Sequence, residues 1–554
     1  MTYLTQRRDT STAPQRFTER RPVKKPITRQ EWSLHWLVFW GSRLFFFVSL
    51  LTVCSPQPAD AATIDWNAIE KEAGVLLSQS IQIDTSNPPG NETAAANFWQ
   101  KVLTQEGIDS HIYESAPNRG IVYARLKGNG KKKALILLHH LDVVPADPQE
   151  WDSDPFGGII EDGYVHGRGA IDCKGVGVVQ FLTMALLKRT GLTLDRDIIF
   201  LGTGDEEAGG QQGAGWFVEH HFDLIQDAEF LLTEGGGIRQ RDGKRSYRIS
   251  VAEKAPCWIE LKATGPAGHG ASPVPETAVN RLVRALEKIR RYETAFKVVP
   301  AVQAYFTALA EFEDAQTAEQ YRSLEQSLKN ETFRKAFTAN RGHNALVRNT
   351  ISLTVLNGSP KTNVVPASAS AHLDCRLLPG EDPQQFIALL KKIVDDPNIQ
   401  LSTLLNFPSV ASDSDTPLFQ AIRSVANRRD PHAPVLPSVL GGFTDTHYFR
   451  EKGIVSYGFS GLALASEDSR GVHGLNERMP LSALRDAIQL MLAVIQSIDT
   501  ISQNEGDKTH GHKSRITRHS RLSGNQTTRR AGRIRFVGKT QRANSGRYAQ
   551  KSDR

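Results

Sequence analysis

Cysteines and long apolar runs are both scarce in this 554-residue sequence. The four cysteines are Cys54, Cys173, Cys257 and Cys375, and none belongs to a Cys-x-x-Cys pair. A chain of this length needs no disulfide framework, so the cysteines predict no particular pairing. With 39% hydrophobic and 8% aromatic residues, the composition is that of a water-soluble globular protein and excludes a membrane bundle. The length predicts two domains with extensions.

Negative charge is scarce at both ends of the chain. Residues 1–61 hold nine Lys or Arg against four acids, and residues 508–554 hold fourteen against Asp553 alone. Since the whole chain carries +7, residues 62–507 carry about −11. An acidic body with basic extensions is not typical of a domain that reads nucleic acid, so no nucleic-acid partner is required.

The N-terminal region, residues 1–61, has the pattern of an export signal. Basic residues precede the short apolar run 44–53, and Ala59-Asp60-Ala61 follows as a cleavage site. This pattern predicts a periplasmic or secreted protein that begins near Ala62, with a membrane anchor as the alternative. The run is short for a membrane span, and no stable span is expected.

Buried strands alternate with helices in the body of the chain. The runs 134–138, 198–201 and 230–232 are continuously apolar, as parallel strands covered on both faces are, and a helix is predicted at 175–189 between the first two. This order predicts an α/β fold with a mostly parallel central sheet flanked by helices. We assign its two parts to residues 62–254 and 409–502.

Residues 255–408 differ in character and predict an inserted domain. Four alternating strands and two helices indicate an α+β unit with one exposed sheet face, with a helical insertion near 305–337. This unit is predicted to be ferredoxin-like and to serve as a lid and dimerisation domain. The tail, residues 503–554, is predicted to be disordered. A solvated tail is the preferred interpretation, and binding to an anionic surface or to nucleic acid is the alternative.

Polar residues follow the predicted strands where open α/β sheets bind ligands. His140-Leu141-Asp142 follows the first strand, and imidazole is a common zinc ligand that a nearby carboxylate can orient. Asp172 lies in Gly167-Arg168-Gly169-Ala170-Ile171-Asp172-Cys173-Lys174-Gly175 and opens the next helix. Its carboxylate could bridge two cations, although by itself it would more often be a helix cap.

Further acids lie at the ends of the next two strands. Asp205-Glu206-Glu207 follows the strand 198–201 and has no basic neighbour, so these carboxylates repel one another unless cations neutralise them. Adjacent carboxylates can divide the work between holding metal and moving a proton. Glu234 leads into Gly235-Gly236-Gly237, and His473 lies in a late Val-His-Gly loop.

Taken in order, these motifs resemble the aminoacylase and carboxypeptidase family of di-zinc hydrolases over residues 62–496. That family includes acetylornithine deacetylase, succinyl-diaminopimelate desuccinylase, glutamate carboxypeptidase and aminoacylase-1. The long insertion before the strand at 351 resembles the branch of carboxypeptidase S and N-acyl amino acid hydrolases. The resemblance implies hydrolysis of an amide bond next to a free carboxylate in a small N-acyl amino acid or short peptide.

The resemblance implies two Zn²⁺ per subunit and five ligands. These are His140, Asp172, Glu207, Glu234 and His473. His140 and Glu234 would share one zinc. Glu207 and His473 would share the other, and Asp172 would bridge both. Nitrogen and carboxylate ligands fit zinc, with cobalt or manganese as possible substitutes.

Two further residues near the metals carry implied roles. Glu206 would be the general base that takes a proton from the attacking water and passes it to the leaving amine. Asp142 would orient His140. His139 should point to the other side of its strand, and Cys173 is interpreted as a packing residue.

In the lid, the resemblance implies a role for His269 in the Gly-His-Gly segment. His269 would reach across a homodimer interface to stabilise the oxyanion of the neighbouring subunit. Asn363 and Arg376 match lid positions that bind substrate, and Arg376 suits a bidentate carboxylate clamp. Gly441-Gly442 begins a substrate loop, in which Phe443 replaces a small polar residue.

Two rival functions remain open at this point. A non-catalytic binding protein on the same scaffold would be expected to lose Glu206 or a ligand, and all are present. A cytosolic biosynthetic deacylase would keep the chemistry, but the export pattern and the lid insertion disfavour it.

Overall fold

The computed structural model describes residues 64–241, 244–272 and 274–511. The predicted export region, residues 1–61, lies outside the described residues, as does the tail beyond Gly511. Domain bounds at 254, 408 and 502 stay predictions, and the secondary structure below is given as the structure has it.

The described residues contain fifteen α-helices. They are α1 (Trp66–Ile81), α2 (Glu92–Gln105), α3 (Lys174–Arg189), α4 (Trp216–His220), α5 (Ala278–Arg291), α6 (Pro300–Leu309), α7 (Ala315–Arg322), α8 (Leu324–Ser327), α9 (Glu331–Ala339), α10 (Arg341–Leu346), α11 (Pro383–Val394), α12 (Pro417–Arg429), α13 (Thr446–Glu451), α14 (Ser466–Ser469) and α15 (Leu481–Gly511).

The same residues contain nineteen strands. They are β1 (Ser110–Glu114), β2 (Gly120–Leu126), β3 (Lys132–His140), β4 (Ile159–Glu161), β5 (Tyr164–His166), β6 (Arg196–Thr203), β7 (Ala228–Thr233), β8 (Gly237–Arg241), β9 (Lys244–Glu253), β10 (Ala255–Thr264), β11 (Gly268–His269), β12 (Thr350–Asn357), β13 (Val364–Val365), β14 (Ser368–Leu377), β15 (Ile399–Asn406), β16 (Val435–Leu440), β17 (Val455–Gly458), β18 (Ala463–Ala465) and β19 (Arg478–Pro480).

A ten-stranded sheet forms the larger layer. Its order is β1-β2-β6-β3-β7-β17-β9-β8-β18, and β16 pairs with β9. The neighbours β6, β3, β7 and β17 run parallel, whereas β1, β2 and the β8–β9 pair add antiparallel edges. Strand β6 is buried along its whole length, which explains its continuous apolar run. The predicted α/β fold with a mostly parallel central sheet is confirmed.

Helices cover the sheet and bury its faces. Helices α1, α3, α12 and α15 pack together on one side, where the largest hydrophobic core lies. The end of β3 therefore sits between packed layers, and its last two residues, His139 and His140, are both buried. Packing on both faces fixes the direction of each strand-end side chain.

A separate four-stranded antiparallel sheet has the order β12-β14-β10-β15. Helices α5 and α11 cover one face and share its core. Helix α5 buries Ala278, Leu282, Ala285 and Ile289, which recur at helical spacing, and Thr277 caps its first turn. The element order strand–helix–strand–strand–helix–strand agrees with the ferredoxin-like lid that the sequence predicts.

The helical insertion lies between α5 and β12 and comprises α6 to α10. Its buried aromatic residues Tyr305, Phe306 and Phe337 share a core with Leu436 and Val439 of β16. At the other end of the chain, α15 continues to Gly511 and passes Gln503, where the sequence predicts disorder. Its segment Leu481–Asp499 is long and apolar enough to cross a membrane, but it packs inside the main core.

Candidate metal centre

Three of the predicted ligands and the predicted base lie where strands of the large sheet end. His140 is the last residue of β3, Glu206 and Glu207 follow β6, and Glu234 follows β7. Because β6, β3 and β7 are parallel neighbours, their carboxyl ends meet at one edge of the sheet. The structure therefore brings these side chains together.

Asp172 lies between the two histidines at this edge. Its Oδ1 is 2.9 Å from His140 Nε2, and its Oδ2 is 3.3 Å from His473 Nε2. His140 Nε2 is also 3.4 Å from Glu234 Oε1, and His473 Nε2 is 3.1 Å from Glu207 Oε2. Each histidine therefore lies within 3.4 Å of the two carboxylates with which it is predicted to share a zinc ion.

Carboxylates outnumber the positive charges in this cluster, and the pKa values reflect it. Burial and the charges of nearby acids raise the pKa of Glu206 and of Glu234 well above the usual value. Burial also opposes ionisation of Asp172, but hydrogen bonds from both histidines hold its pKa low. Hydrogen bonds to Asp172 and Glu207 raise the pKa of His473 to about 10. The cluster thus favours additional positive charge.

The donor atoms also fit metal ions by position. One group contains Asp172, Glu207 and His473, with donor atoms within 4.8 Å of one another. His140 forms similar groups with Glu206 and Glu207, and with Cys173 and Glu234. Buried Glu207 Oε1 has no hydrogen-bond partner, which is costly unless a cation contacts it. These residues can therefore hold divalent cations.

A cavity of about 780 Å³ opens over the cluster. Arg376, Gly441 and Gly442 line it together with the acids. The guanidinium of Arg376 lies near the rings of both Trp258 and Phe443, at 5.5 and 5.3 Å from their centroids. The two rings also contact each other edge to face, with centroids 6.2 Å apart, so Phe443 has a packing role that the sequence left open.

Asp374 occupies part of the fork of Arg376. The Nε and Nη2 atoms donate to its carboxylate at 2.7 and 3.2 Å, while the buried Nη1 has no partner. Asp374 therefore already occupies two of the three guanidinium nitrogens, in contrast to the free bidentate fork that the sequence suggests.

Comparison with known proteins agrees with this geometry. A model of peptidase family M20/M25/M40 matches residues 136–497. The N-fatty-acyl-amino acid synthase/hydrolase PM20D1 of Xenopus tropicalis is 30% identical over 454 residues, which cover 78% of this chain and 87% of that protein. The chain belongs to the M20/M25/M40 peptidase family.

Other relatives lie in the branch that the sequence suggests. Aminoacylase-1 of Homo sapiens is 26% identical and covers 71% of this chain and 87% of its own length. An M20 family metallo-carboxypeptidase, Sso-CP2 from Sulfolobus solfataricus, shares the fold with a TM-score of 0.60 at 22% identity, over 77% of this chain and 99% of that chain. The predicted family and branch are confirmed, and the M20 chain is a hydrolase of C–N bonds.

Asp142 contacts both His140 and the turn that carries Glu206 and Glu207, and the sequence predicts only the first of these contacts. The Nδ1–H of His140 donates to the backbone carbonyl of Asp142 at 2.9 Å, and the Asp142 carboxylate lies farther away, at 3.6 Å. That carboxylate instead accepts from the backbone N–H groups of Glu206 and Glu207, each at 3.1 Å. Asp142 thus fixes the turn that carries both glutamates.

His139 and Cys173 lie beside His140 and have different surroundings. His139 packs against Trp99 and Phe200 and contacts Gln180 on the far side of the strand, as predicted. The Sγ of Cys173 accepts from the His140 N–H at 3.1 Å, and burial raises the pKa of its thiol. A neutral thiol in this position supports the interpretation as packing, although its sulfur lies within reach of a cation.

His269 and Asn363 lie away from the cluster. Both are exposed, and neither lies among the residues that line the cavity. His269 pairs with Val364 across the short β11–β13 ladder, and its Nδ1 accepts from the N–H of Ala271. Within one chain, the structure therefore brings neither residue to the metal centre.

Glu477 is a site residue that the sequence reasoning missed. Its buried carboxylate accepts from the backbone N–H groups of Gly169, Ile171 and Asp172 and pairs with Arg168 at 2.8 Å. It thereby ties the Asp172 turn to the segment that follows His473. Its sequence position, four residues after His473 in the same loop, was the available signal.

Proposed function

We propose that this chain hydrolyses the amide bond next to the free carboxylate of small N-acyl amino acids or short peptides. The observation that carries the proposal is the acid cluster, in which Asp172 lies between His140 and His473 and Glu206 lies next to His140 and Glu207. A non-catalytic binding protein has no need of the additional carboxylate of Glu206.

Two zinc ions would be held by the cluster. His140 and Glu234 would hold one, Glu207 and His473 the other, and Asp172 both. Bound there, the ions would supply Lewis acidity that activates water at neutral pH and polarises the scissile carbonyl. Nitrogen and oxygen donors fit zinc, and cobalt or manganese fit the same set.

Glu206 does the proton transfers. Its carboxylate accepts a proton from the attacking water and delivers it to the nitrogen of the leaving amine. The backbone of Glu206 is fixed by Asp142, so the carboxylate stays aimed into the cavity. The leaving amino acid presents its own carboxylate to Arg376, which lines the cavity. Gly441 and Gly442 give the substrate close approach because they carry no side chains.

A homodimer would complete the site through the lid. The edge strand β12 exposes Leu353, Val355 and Leu356, and Val283 of α5 is exposed next to it. An apolar edge strand with an apolar helix beside it suits pairing with a second copy about a two-fold axis. His269 and Asn363, which do not reach the centre of their own chain, would then serve the partner's centre.

Export of the chain rests on the sequence alone. The proposed signal is residues 1–61, which lie outside the described residues, and cleavage would leave Ala62 at the N-terminus. An uncleaved anchor is the alternative, and N-terminal sequencing of the exported protein distinguishes the two.

The test of the proposed function is Glu206→Gln in zinc-loaded protein. Wild type should hydrolyse members of a panel of N-acyl amino acids and dipeptides, whereas Glu206→Gln should lower kcat by about 10²-fold or more. Zinc content, measured by mass spectrometry, should stay at the wild-type value because Glu206 is not a proposed ligand. Exposed Glu219 of α4 provides the control variant, Glu219→Gln. A wild type inactive on the whole panel contradicts the proposal, and an active Glu206→Gln removes Glu206 from the mechanism.

A further inference from the structure

The cavity over the metal centre continues along the β8–β9 pair to two arginines. Glu234 at the centre is followed by three glycines and then by Ile238 and Arg239. Both Arg239 of β8 and Arg248 of β9 line the same cavity as Glu206, Glu207 and His473. Arg239 lies five positions after Glu234. Even in a fully extended chain, their Cα atoms are therefore at most about 17 Å apart.

The sheet register places the two arginines on one face. Arg248 pairs with Gly237, and Arg239 pairs with Ser246, two positions along. Arg239 and Arg248 are therefore diagonal neighbours, which in an antiparallel pair lie about 7–8 Å apart. Since Gly237 has no side chain, nothing on that position of β8 covers Arg248.

Neither guanidinium has a carboxylate partner among the described residues. Arg239 Nη1 donates to Ser469 Oγ at 2.8 Å, and the Arg248 guanidinium lies 6.0 Å from the centre of the Tyr305 ring. Partial burial and the like charge of Arg248 lower the pKa of the Arg239 guanidinium. Two cations held this close without an acid repel each other and leave their donors available to an anion.

Other arginines of the large sheet contrast with this pair. Arg125 binds Asp197 and Asp227, and Arg245, on the opposite face of β9 from Arg248, lies 3.6 Å from Asp430. The unpaired arginines are thus the ones on the cavity face.

An apolar wall connects the centre to the arginines. Ile238 and Leu462 are buried, and Leu464 pairs with Arg239 across β8 and β18. A substrate lying along this wall would contact aliphatic side chains first and guanidinium groups at its far end. That order suits an acyl chain with a charged terminus.

We propose that Arg239 and Arg248 together bind a carboxylate at the far end of the acyl group, so that this chain prefers N-acyl amino acids made from dicarboxylic acids. The inference rests on the proposed function and names its substrate class. The carboxylate of the amino acid is assigned to Arg376 on the small sheet, so the pair on the large sheet is left for the acyl end. Guanidinium groups bind carboxylates with charge-assisted hydrogen bonds, and two of them can share one anion.

Matched substrates test the preference. N-adipoyl, N-suberoyl and N-sebacoyl leucine are compared with N-hexanoyl, N-octanoyl and N-decanoyl leucine, which have the same acyl lengths without the terminal carboxylate. At one length or more, kcat/KM should favour the dicarboxylic acyl group by about tenfold, the gain of one partly exposed charge-assisted contact. The double variant Arg239→Gln/Arg248→Gln should bring the ratio to about one, and Arg245→Gln should keep it. A wild-type ratio of one or below, or a ratio that the double variant keeps, overturns the inference.

A binding measurement separates this inference from the proposed function. Isothermal calorimetry on the same proteins compares sebacate with decanoate, which need no turnover. Tighter binding of sebacate by wild type, lost in the double variant and kept in Arg245→Gln, supports the arginine site even if no panel substrate is hydrolysed. Equal affinity for the two acids overturns the inference even if hydrolysis of neutral acyl substrates confirms the proposed function.

Discussion

Asp142 and Glu477 are buried carboxylates that accept hydrogen bonds from backbone N–H groups beside the proposed ligands. Asp142 accepts from Glu206 and Glu207, and Glu477 accepts from Ile171 and Asp172. These hydrogen bonds fix the backbone that carries the proposed ligands before metal binds. Metal binding therefore costs little conformational entropy. The two carboxylates act on the site through the turns they fix.

Asp205 also stabilises the turn that carries Glu206 and Glu207, through contacts of its own. It adopts a left-handed conformation, with φ of 67°, in which a residue other than glycine is uncommon. Its carboxylate accepts from the Gln212 N–H at 2.8 Å and lies 3.2 Å from the Arg119 guanidinium. These contacts stabilise the tight turn that places Glu206 directly after β6.

Substitution of Glu477 by glutamine tests the positioning role. The amide NH₂ group would face N–H donors in place of an acceptor, and the buried ion pair with Arg168 would be lost. We expect the free energy of unfolding to fall by about 3 kcal/mol. Zinc affinity should fall by about tenfold to hundredfold, because the Asp172 turn loosens.

Urea unfolding and zinc titration against a competing chelator measure the two effects. Exposed Glu467 of α14 lines the same surface cavity as Glu477 and provides the matched control, Glu467→Gln. A Glu477→Gln variant with lower stability but unchanged zinc affinity would leave Glu477 a purely structural residue.

Residues that follow apolar strands were predictable, and residues fixed by distant contacts were not. His140, Glu206 and Glu234 were found because each follows a run of buried residues, and the structure places them together. The contacts of Glu477 reach back more than 300 positions, to Ile171 and Asp172. The pair Arg239 and Arg248 was missed because their alignment depends on the β8–β9 register, which the sequence did not reveal.

At the scale of elements, the helical insertion α6–α10 folds around aromatic rings. The rings of Phe306, Phe337 and His343 lie within 5.1 Å of one another, centre to centre. The sequence predicts helices there from spacing, and this cluster packs those helices against one another. His343 adds a titratable group to the cluster.

Acidification should weaken the insertion through His343. Burial and the charge of Arg248 lower the pKa of His343, so the unfolded chain takes up a proton before the folded chain does. Stability from the neutral ring is therefore present at neutral pH and is lost as the pH falls below the ordinary histidine value of about 6.5. His343→Phe keeps an aromatic ring but has no titratable group. Its free energy of unfolding should therefore rise relative to that of the wild type when the pH is lowered from 7.5 to 5.

Chemical denaturation at the two pH values measures this difference. Exposed His432 supplies the control, since His432→Phe should show no relative gain at the lower pH. If the difference between His343→Phe and wild type is the same at both values, His343 does not titrate on unfolding.

The edge strand β12 is where the proposed dimer would pair. Its Leu353 and Leu356 are 50% and 59% exposed, large fractions for leucine on a strand with no neighbour on one side. Leu353→Lys should convert a dimer into monomers, because burial of an unpaired ammonium in the interface is costly. Light scattering after size exclusion measures the mass.

The opposite edge of the same sheet supplies the matched control. Leu404 of β15 is 49% exposed, so Leu404→Lys makes the same change at an edge outside the proposed interface. It should leave the dimer intact. A monomeric wild type, or a Leu353→Lys variant that stays dimeric, contradicts pairing through β12.

Some helices and strands could be predicted from the sequence, and others could not. Continuous apolar runs predicted β3, β6 and β7, and amphipathic spacing predicted α5 and α11. The strands β16, β17 and β18 carry no such run, because Pro437 and Ser438 interrupt β16 and the other two have only four and three residues. Helix α15 extends past the apolar stretch to Gly511, beyond the point where composition predicts its end.

At the scale of the whole molecule, the proposed catalytic groups lie on different sheets. His140, Glu206, Glu207 and Glu234 lie at the ends of strands of the large sheet, and Asp172 and His473 lie in loops next to β5 and β19 of a separate three-stranded sheet. His269 lies in β11, which follows β10 of the small sheet. His269 is exposed and does not line the cavity of its own chain. An oxyanion donor is worth about 3 kcal/mol in related chemistry, so a donor supplied by the partner would make the dimer the active unit.

Mixed dimers test donation between subunits. His269→Ala and Glu206→Gln should each be nearly inactive alone, because the first lacks the donor and the second lacks the base. In a refolded equimolar mixture, half of the dimers combine the two variants, and one of the two sites in each has both groups intact. Activity should therefore return to about a quarter of the wild-type value. Adding Leu353→Lys to both variants should prevent this recovery, because the subunits no longer associate. Mixtures that contain heterodimers by native mass spectrometry and still show no activity would contradict donation by His269 across the interface.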